Sequence, residues 1–395
     1  MQYKKVQRAL VEQLKRKGDL SDPRIEAAFL AVPRHVFLPG VSLEQAYADE
    51  AVPIKRSLDG IVISSSSQPS MMGLMLHQMR LQPGANVLEI GTGSGYNAAI
   101  MQHIVGDSGH VTTVELDRDL AQQALDHLAQ VRAGHVTVVH ADGAMGYQPR
   151  AAYDAIIATA GIWDIPAAWP KQLKDNGVIV APIWLDGMQI SAAFRRQPDG
   201  SLLSADNVPC GFVPLRGLGA GPRVSARITS SDLTLAAEEV DRIDTAALHV
   251  LLSADQELCF LGLAMSPSDY WQGFLPYLLL HQPLGYIFAT YNLNSKAYGM
   301  EVSSGFALVT QGSAVFVPFN GQGNTHCFAG SDSFMALSDA AQTWVKAHRP
   351  GIDRLRLRLL PKSQEPPLLS GGKMYARRDH YLQVWMEGEA ARDGA

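Results

Sequence analysis

The stretch Val87-Leu88-Glu89-Ile90-Gly91-Thr92-Gly93-Ser94-Gly95-Tyr96-Asn97-Ala98-Ala99 decides the fold. Its first four residues read as a strand, its three alternate glycines as a tight loop, and the residues from Tyr96 as the start of a helix. Glycine removes the Cβ where backbone must turn sharply or approach a ligand. The spacing is G-x-G-x-G. The dinucleotide fingerprint is G-x-G-x-x-G, with pyrophosphate seated over the helix N-terminus. Glu89, just ahead of the loop, would repel a phosphate and suits a ligand that carries an amino group.

Downstream of this stretch, short apolar runs alternate with helices. Strands are predicted at 111–116, 136–142, 154–160 and 178–183, with a helix at 119–131. Near-continuous apolar runs mean strands covered on both faces, as in a parallel sheet. The rhythm predicts an α/β, Rossmann-like, doubly wound domain. Ligands in such sheets bind at the carboxyl ends of the strands. Glu115 ends the second strand, where it can accept both hydroxyls of a ribose. Asp142 ends the third and can accept an adenine amino group. Three acceptor-bearing positions at three successive strand ends form a more specific pattern than a glycine loop alone.

Upstream, Lys4, Lys5, Arg8, Lys15, Arg16 and Lys17 flank apolar residues at helical spacing, which reads as an amphipathic helix with a solvated basic face. Residues 22–39 contain a short helix ending before Pro33. The stretch 61–79 passes from a polar serine loop into a helix whose first turn holds Pro69. After about residue 217 the alternation stops, and 218–232 is rich in Gly and Ser. Residues 306–319 read as a hairpin turning at Gln311-Gly312-Ser313. A helix over 338–350 is capped by Ser338, and 352–360 alternates with period two, with 380–386 as its partner strand. Residues 361–373 read as a long loop. The chain thus divides into 1–217, with a helical and loop segment over 1–80, and an α+β extension over 218–395.

The 395 residues carry a net charge of −5 and no long basic block, which disfavours a nucleic-acid face. No apolar run suits a membrane span, and 274–291 reads as a buried segment. The chain opens without a signal-peptide pattern. Cys210, Cys259 and Cys327 lack metal spacing, and their sparse count fits a reducing, cytoplasmic location. His140, Trp163, Trp169 and Trp184 read as structural, and His35 is left without a role.

The sequence resembles the protein-L-isoaspartate (D-aspartate) O-methyltransferases. The resemblance is carried by AVPRHVFLPG (31–40), AYADEAVPI (46–54), ISSSSQP (63–69), the 87–99 stretch, VTTVELD (111–117), ADGAMG (141–146), YDAIIATAG (153–161), QLKDNGVIVAPI (172–183) and FVPLRG (212–217). It implies an S-adenosyl-L-methionine-dependent carboxyl O-methyltransferase, yielding S-adenosyl-L-homocysteine, with a helical N-terminal lid over a cleft at the strand ends. The family's Ser-x-Pro loop aligns with Ser67-Gln68-Pro69, so Ser67 matches the active-site serine. Gln68, Pro69, Ser70 and Met71, together with Glu89, Gly91, Thr92, Gly93, Ser94, Gly95, Tyr96, Glu115, Leu116, Asp142 and Gly143, match cofactor positions. Ser64, Ser65 and Ser66 are substrate-binding candidates.

Two features depart from the ordinary repair enzymes: the run of four serines and the long extension. Both are similar to long-tailed relatives from lanthipeptide and graspetide biosynthesis. Those enzymes esterify an L-aspartate in a cyclised, ribosomally made precursor peptide, leading to succinimide (aspartimide) and isoaspartate. The resemblance therefore implies a modified precursor peptide as partner, with no nucleic acid, membrane or metal. The alternative is repair of isoaspartyl residues in damaged proteins. An aspartate carboxyl has a reference pKa of about 4, so it is ionised at neutral pH and needs no general base. Hydroxyls such as that of Ser67 can hold one oxygen and leave the other free.

Overall fold

The computed structural model describes residues 2–229, 231–366 and 372–388. Its strands, in chain order, are β1 Val52–Arg56, β2 Val62–Ser66, β3 Asn86–Ile90, β4 His110–Glu115, β5 Thr137–His140, β6 Tyr153–Ala158, β7 Leu173–Leu185, β8 Met188–Arg196, β9 Leu202–Cys210, β10 Ser225–Arg227, β11 Leu233–Ala236, β12 Gln256–Phe260, β13 Ile287–Leu293, β14 Ser303–Val309, β15 Ser313–Pro318, β16 Asn324–Ala329, β17 Leu355–Pro361, β18 Lys373–Ala376 and β19 His380–Met386. The main sheet has ten strands in the order β18-β19-β17-β9-β8-β7-β6-β3-β4-β5. Strands β3 to β7 pair in parallel, whereas β7, β8, β9, β17, β19 and β18 continue it antiparallel. The fold is the Rossmann-like sheet that the glycine stretch implies, widened on one side.

Alternation along the central strands sorts side chains into two cores. Val87, Val111, Ala155, Ile157, Val178 and Val180 pack with Leu10, Leu14, Phe29, Met72, Met75 and Ile100 from the helices Gln2–Lys17, Pro23–Ala31, Pro69–Met79 and Tyr96–Val105. Leu88, Ile90, Val114, Ile156, Ala158, Ile179, Ala181 and Ile183 face the other way. They join Tyr270, Phe274, Leu278, Phe306 and Trp344 from the C-terminal half. A second sheet of seven strands, β10-β11-β13-β14-β15-β16-β12, lies within that half. The division expected at 217/218 is thus crossed by the main sheet, which recruits β17, β18 and β19 from the end of the chain.

Three local expectations differ from what is observed. Ser64, Ser65 and Ser66 are in β2, not a loop, because Val62 and Ile63 lead them into an antiparallel pairing with β1. Ser338 lies inside the helix Asp332–Lys346, whose N-cap is Ser331, about two turns earlier. Strands β8 and β9 were not foreseen. Strands β17 and β19 do pair antiparallel as their alternation implies, and part of the 361–373 loop lies outside the described residues. The helix Leu275–Leu280 is buried, in line with the reading of 274–291. Among the described residues no helix is long and apolar enough to cross a membrane, and no cluster of His, Cys, Asp and Glu could hold a metal ion.

Candidate active site

The carboxyl ends of β3, β4 and β6 open into a cleft with about 780 Å³ of empty space, its mouth included. Its lining includes Glu89, Gly91, Thr92, Gly93, Ser94, Tyr96, Glu115, Leu116 and Gly143, together with Ser64, Ser65, Ser66 and Ser67. Val213 to Arg216 close the rim. Of the residues proposed from sequence, Gln68, Pro69, Ser70, Met71, Gly95 and Asp142 do not line the cleft.

The glycine loop has the geometry its composition predicts. Gly91, Gly93 and Gly95 have φ of 97°, 52° and 86°. A Cβ at Gly91 would sit 2.7 Å from Thr159 Oγ1. Gly93 N–H donates to Glu115 Oε2 at 2.9 Å, and Asp117 N–H donates to Oε1 at 3.1 Å. Glu115 is thereby fixed at its strand tip, and each oxygen keeps a further lone pair for a ligand hydroxyl.

Glu89 is fully buried. It accepts from Thr113 Oγ1 at 2.6 Å and Asn97 Nδ2 at 2.8 Å. Burial pushes its carboxyl up to about 7, opposed by those two hydrogen bonds and reinforced by Glu115. Asn97 Oδ1 and Ser66 Oγ are buried and have no hydrogen-bond partner within the protein. Buried polar atoms are normally satisfied, so orphans in a cleft mark ligand contacts. An acceptor amide beside a buried carboxylate suits an ammonium. Glu115 beyond it suits a ribose diol. The lining therefore fits S-adenosylmethionine on its own chemistry.

Asp142 is placed differently from the expectation. Its carboxylate accepts from Ala144 N at 2.9 Å and Leu218 N at 2.7 Å, so it ties the segment after Arg216 to the strand end. Arg34 had no assigned role, yet it is a central organiser. It is fully buried and donates to the carbonyls of Ala46, Ala48, Glu50 and Ser67 at 3.0–3.1 Å, with a longer bond to Ser66. One rigid five-donor fork thus sets the path of the serine segment. The Val32-Pro33-Arg34 run makes this arginine visible in the sequence, but nothing local shows which carbonyls it reaches. Arg216 was likewise unassigned. It lines the rim but is paired with Asp117 at 2.6 Å, which Lys55 also approaches at 3.0 Å.

Sheet, glycine loop and acceptor set together define a Rossmann-fold S-adenosylmethionine-dependent methyltransferase. Residues 4–219 match the family described as Protein-L-isoaspartate(D-aspartate) O-methyltransferase (PCMT), and the chain belongs to that family. It is accordingly an S-adenosylmethionine-dependent carboxyl O-methyltransferase. It is 37% identical over 209 residues to a protein-L-isoaspartate O-methyltransferase of Ignicoccus hospitalis, covering 53% of this chain and 96% of that protein. The one from Hyperthermus butylicus is 38% identical over 225 residues, covering 54% of this chain and 90% of that protein. A solved protein-L-isoaspartate O-methyltransferase aligns with 89% of this chain and 96% of its own at a TM-score of 0.52 and 23% identity, a likeness of fold.

Proposed function

We propose that the chain methylates the carboxylate of an isoaspartyl residue in a protein or peptide. S-adenosylmethionine, when bound, supplies an electrophilic sulfonium methyl group. The substrate carboxylate is already ionised at neutral pH, so no base has to remove a proton. What remains is positioning. The observation that carries the reading is that Ser64 to Ser67 and the glycine loop line one and the same cleft. In this reading Ser67 holds one carboxylate oxygen and leaves the other free, while Ser64, Ser65 and Ser66 contact the neighbouring peptide. Arg34 fixes the backbone of Ser67 and keeps its own charge on carbonyls, away from the nucleophile. The one cationic side chain among the cleft's lining residues, Arg216, is neutralised by Asp117. Both features preserve the nucleophilicity of a carboxylate held by hydroxyls.

The names carried by the relatives of known sequence support this substrate. The long extension does not argue against it, because a solved structure bearing the same name aligns over most of this chain. A second reading keeps its own support. All four serines line the cleft, a richer hydroxyl surface than a single Ser-x-Pro serine provides, and it suits an L-aspartate held in a cyclised precursor peptide.

One comparison separates them: isoaspartyl test peptides, their aspartyl counterparts and a cyclised aspartyl peptide, each incubated with enzyme and donor. Methyl ester on the isoaspartyl peptides alone is expected. Esterification or dehydration of the cyclised aspartyl peptide, with isoaspartyl peptides untouched, would transfer the assignment to peptide maturation.

A further inference from the structure

The rim of the cleft is a strap, Val213 to Ala220. Three of its attachments lie in the catalytic half. Gly161 N–H donates to Val213 O and Gly161 O accepts from Leu215 N, both at 2.8 Å. Arg216 pairs with Asp117, and Leu218 N–H donates to Asp142. The strap runs so close to Asp142 that a Cβ on Gly217 would lie 2.2 Å from its Oδ2.

The fourth attachment comes from the far end of the chain. The turn Arg377–His380, between β18 and β19, reaches the strap through Arg378, which donates to Leu218 O and Ala220 O, each at 2.5 Å. The turn itself is held by buried groups. Asp164 accepts from Asp379 N at 2.6 Å and His380 N at 3.2 Å, and its Oδ1 meets His380 Nδ1 at 2.8 Å. Arg377 pairs with Glu238 at 2.6 Å and lies 3.7 Å over the Trp163 ring. Gly161, Trp163 and Asp164 belong to one loop, the loop that follows Thr159 and Ala160 in the cleft wall. Strap and C-terminal turn are therefore seated on the same segment and joined by one side chain.

We propose that the C-terminal turn positions the donor pocket's strap, with Arg378 as the positioning residue, so that the extension sets donor affinity. Arg378 touches neither donor nor substrate and acts through the carbonyls of Leu218 and Ala220. These two bonds hold Leu218 N–H on Asp142 and Val213 to Arg216 against the cleft. The inference rests on the donor pocket described above and is indifferent to which carboxylate is methylated.

The test uses the full chain with Arg378→Ala and Arg378→Lys, titrated with S-adenosylhomocysteine by calorimetry, with hydrogen exchange measured on the strap. Arg378 is exposed, so both variants should melt like the parent. Arg378→Ala should weaken binding about 5- to 10-fold, as for loss of charge-assisted hydrogen bonds. Exchange at Leu215 and Leu218 should quicken, and KM for the donor should rise at nearly constant kcat. Arg378→Lys, which reaches fewer carbonyls, should fall between. Parental affinity in Arg378→Ala would overturn the proposal, as would weakened binding with unchanged exchange in the strap. Loss of all methyl transfer in the parent would strike the substrate reading instead, and leave this binding assay intact.

Discussion

At the scale of single residues, Glu89 couples the donor pocket to pH. Its buried carboxyl is raised to about 7 from an ordinary value of 4.5. A raised acid favours the folded state while protonated. Its contribution is therefore complete below about 4.5 and lost as pH rises through about 7. Replacing it by glutamine should flatten the decline in chemical-denaturation stability across that window. Binding an ammonium beside Glu89 reverses its preference, so S-adenosylhomocysteine should release a proton below about pH 7. Its affinity should then rise by up to about tenfold per unit toward that pH, and calorimetry in buffers of different ionisation enthalpy reads both effects. Ser67→Ala should lower kcat/KM about 100-fold with donor affinity unchanged, as for loss of a positioned donor. Arg34→Lys should cost about 2 kcal/mol in thermal stability, because an ammonium cannot reach all the carbonyls the fork spans. Glu89 and the glycines were legible from local pattern alone. Arg34 was not, since arginine is almost never fully buried unless paired, and its partners come from stretches up to 33 residues away.

Among the elements, the glycine loop and the β1–β2 hairpin make the cleft between them. Gly93 is close to both, its missing Cβ lying 3.6 Å from Ile54 and from Ser65 O. Gly91 is more demanding, with φ of 97° and Thr159 in the way. Gly91→Ala should therefore cost about 1–3 kcal/mol and weaken donor binding, measurable by thermal melting and by calorimetry. The parallel strands were readable because each is a compact apolar run. The hairpin was not, because serines read as a turn and only pairing with Val52–Arg56 makes them a strand. Strands β8 and β9 escaped for a related reason. Small and polar residues such as Ser191, Ala192, Ser204 and Asn207 are buried there by neighbours on both sides, without an alternation to announce it.

For the whole molecule, the two halves share one apolar core. The face of the central sheet bearing Ile90, Ile156 and Ile179 belongs to the same buried cluster as Tyr270, Phe274 and Trp344, and β9 is paired by β17. A chain stopped at residue 217 should bind a hydrophobic dye strongly and aggregate, as checked by light scattering; a monodisperse, donor-binding fragment would contradict this. The change of rhythm near 217 was visible in the sequence. The return of the last strands to the first sheet was not, because a pairing so distant leaves no trace in local periodicity. That return has a bearing on how the protein is made. Asn207 donates to Leu355 O across 148 residues of chain, so the edge of the catalytic sheet stays unsealed until β17 has left the ribosome. Closure of so long a loop is slow, and nascent molecules should depend on chaperone protection late in synthesis.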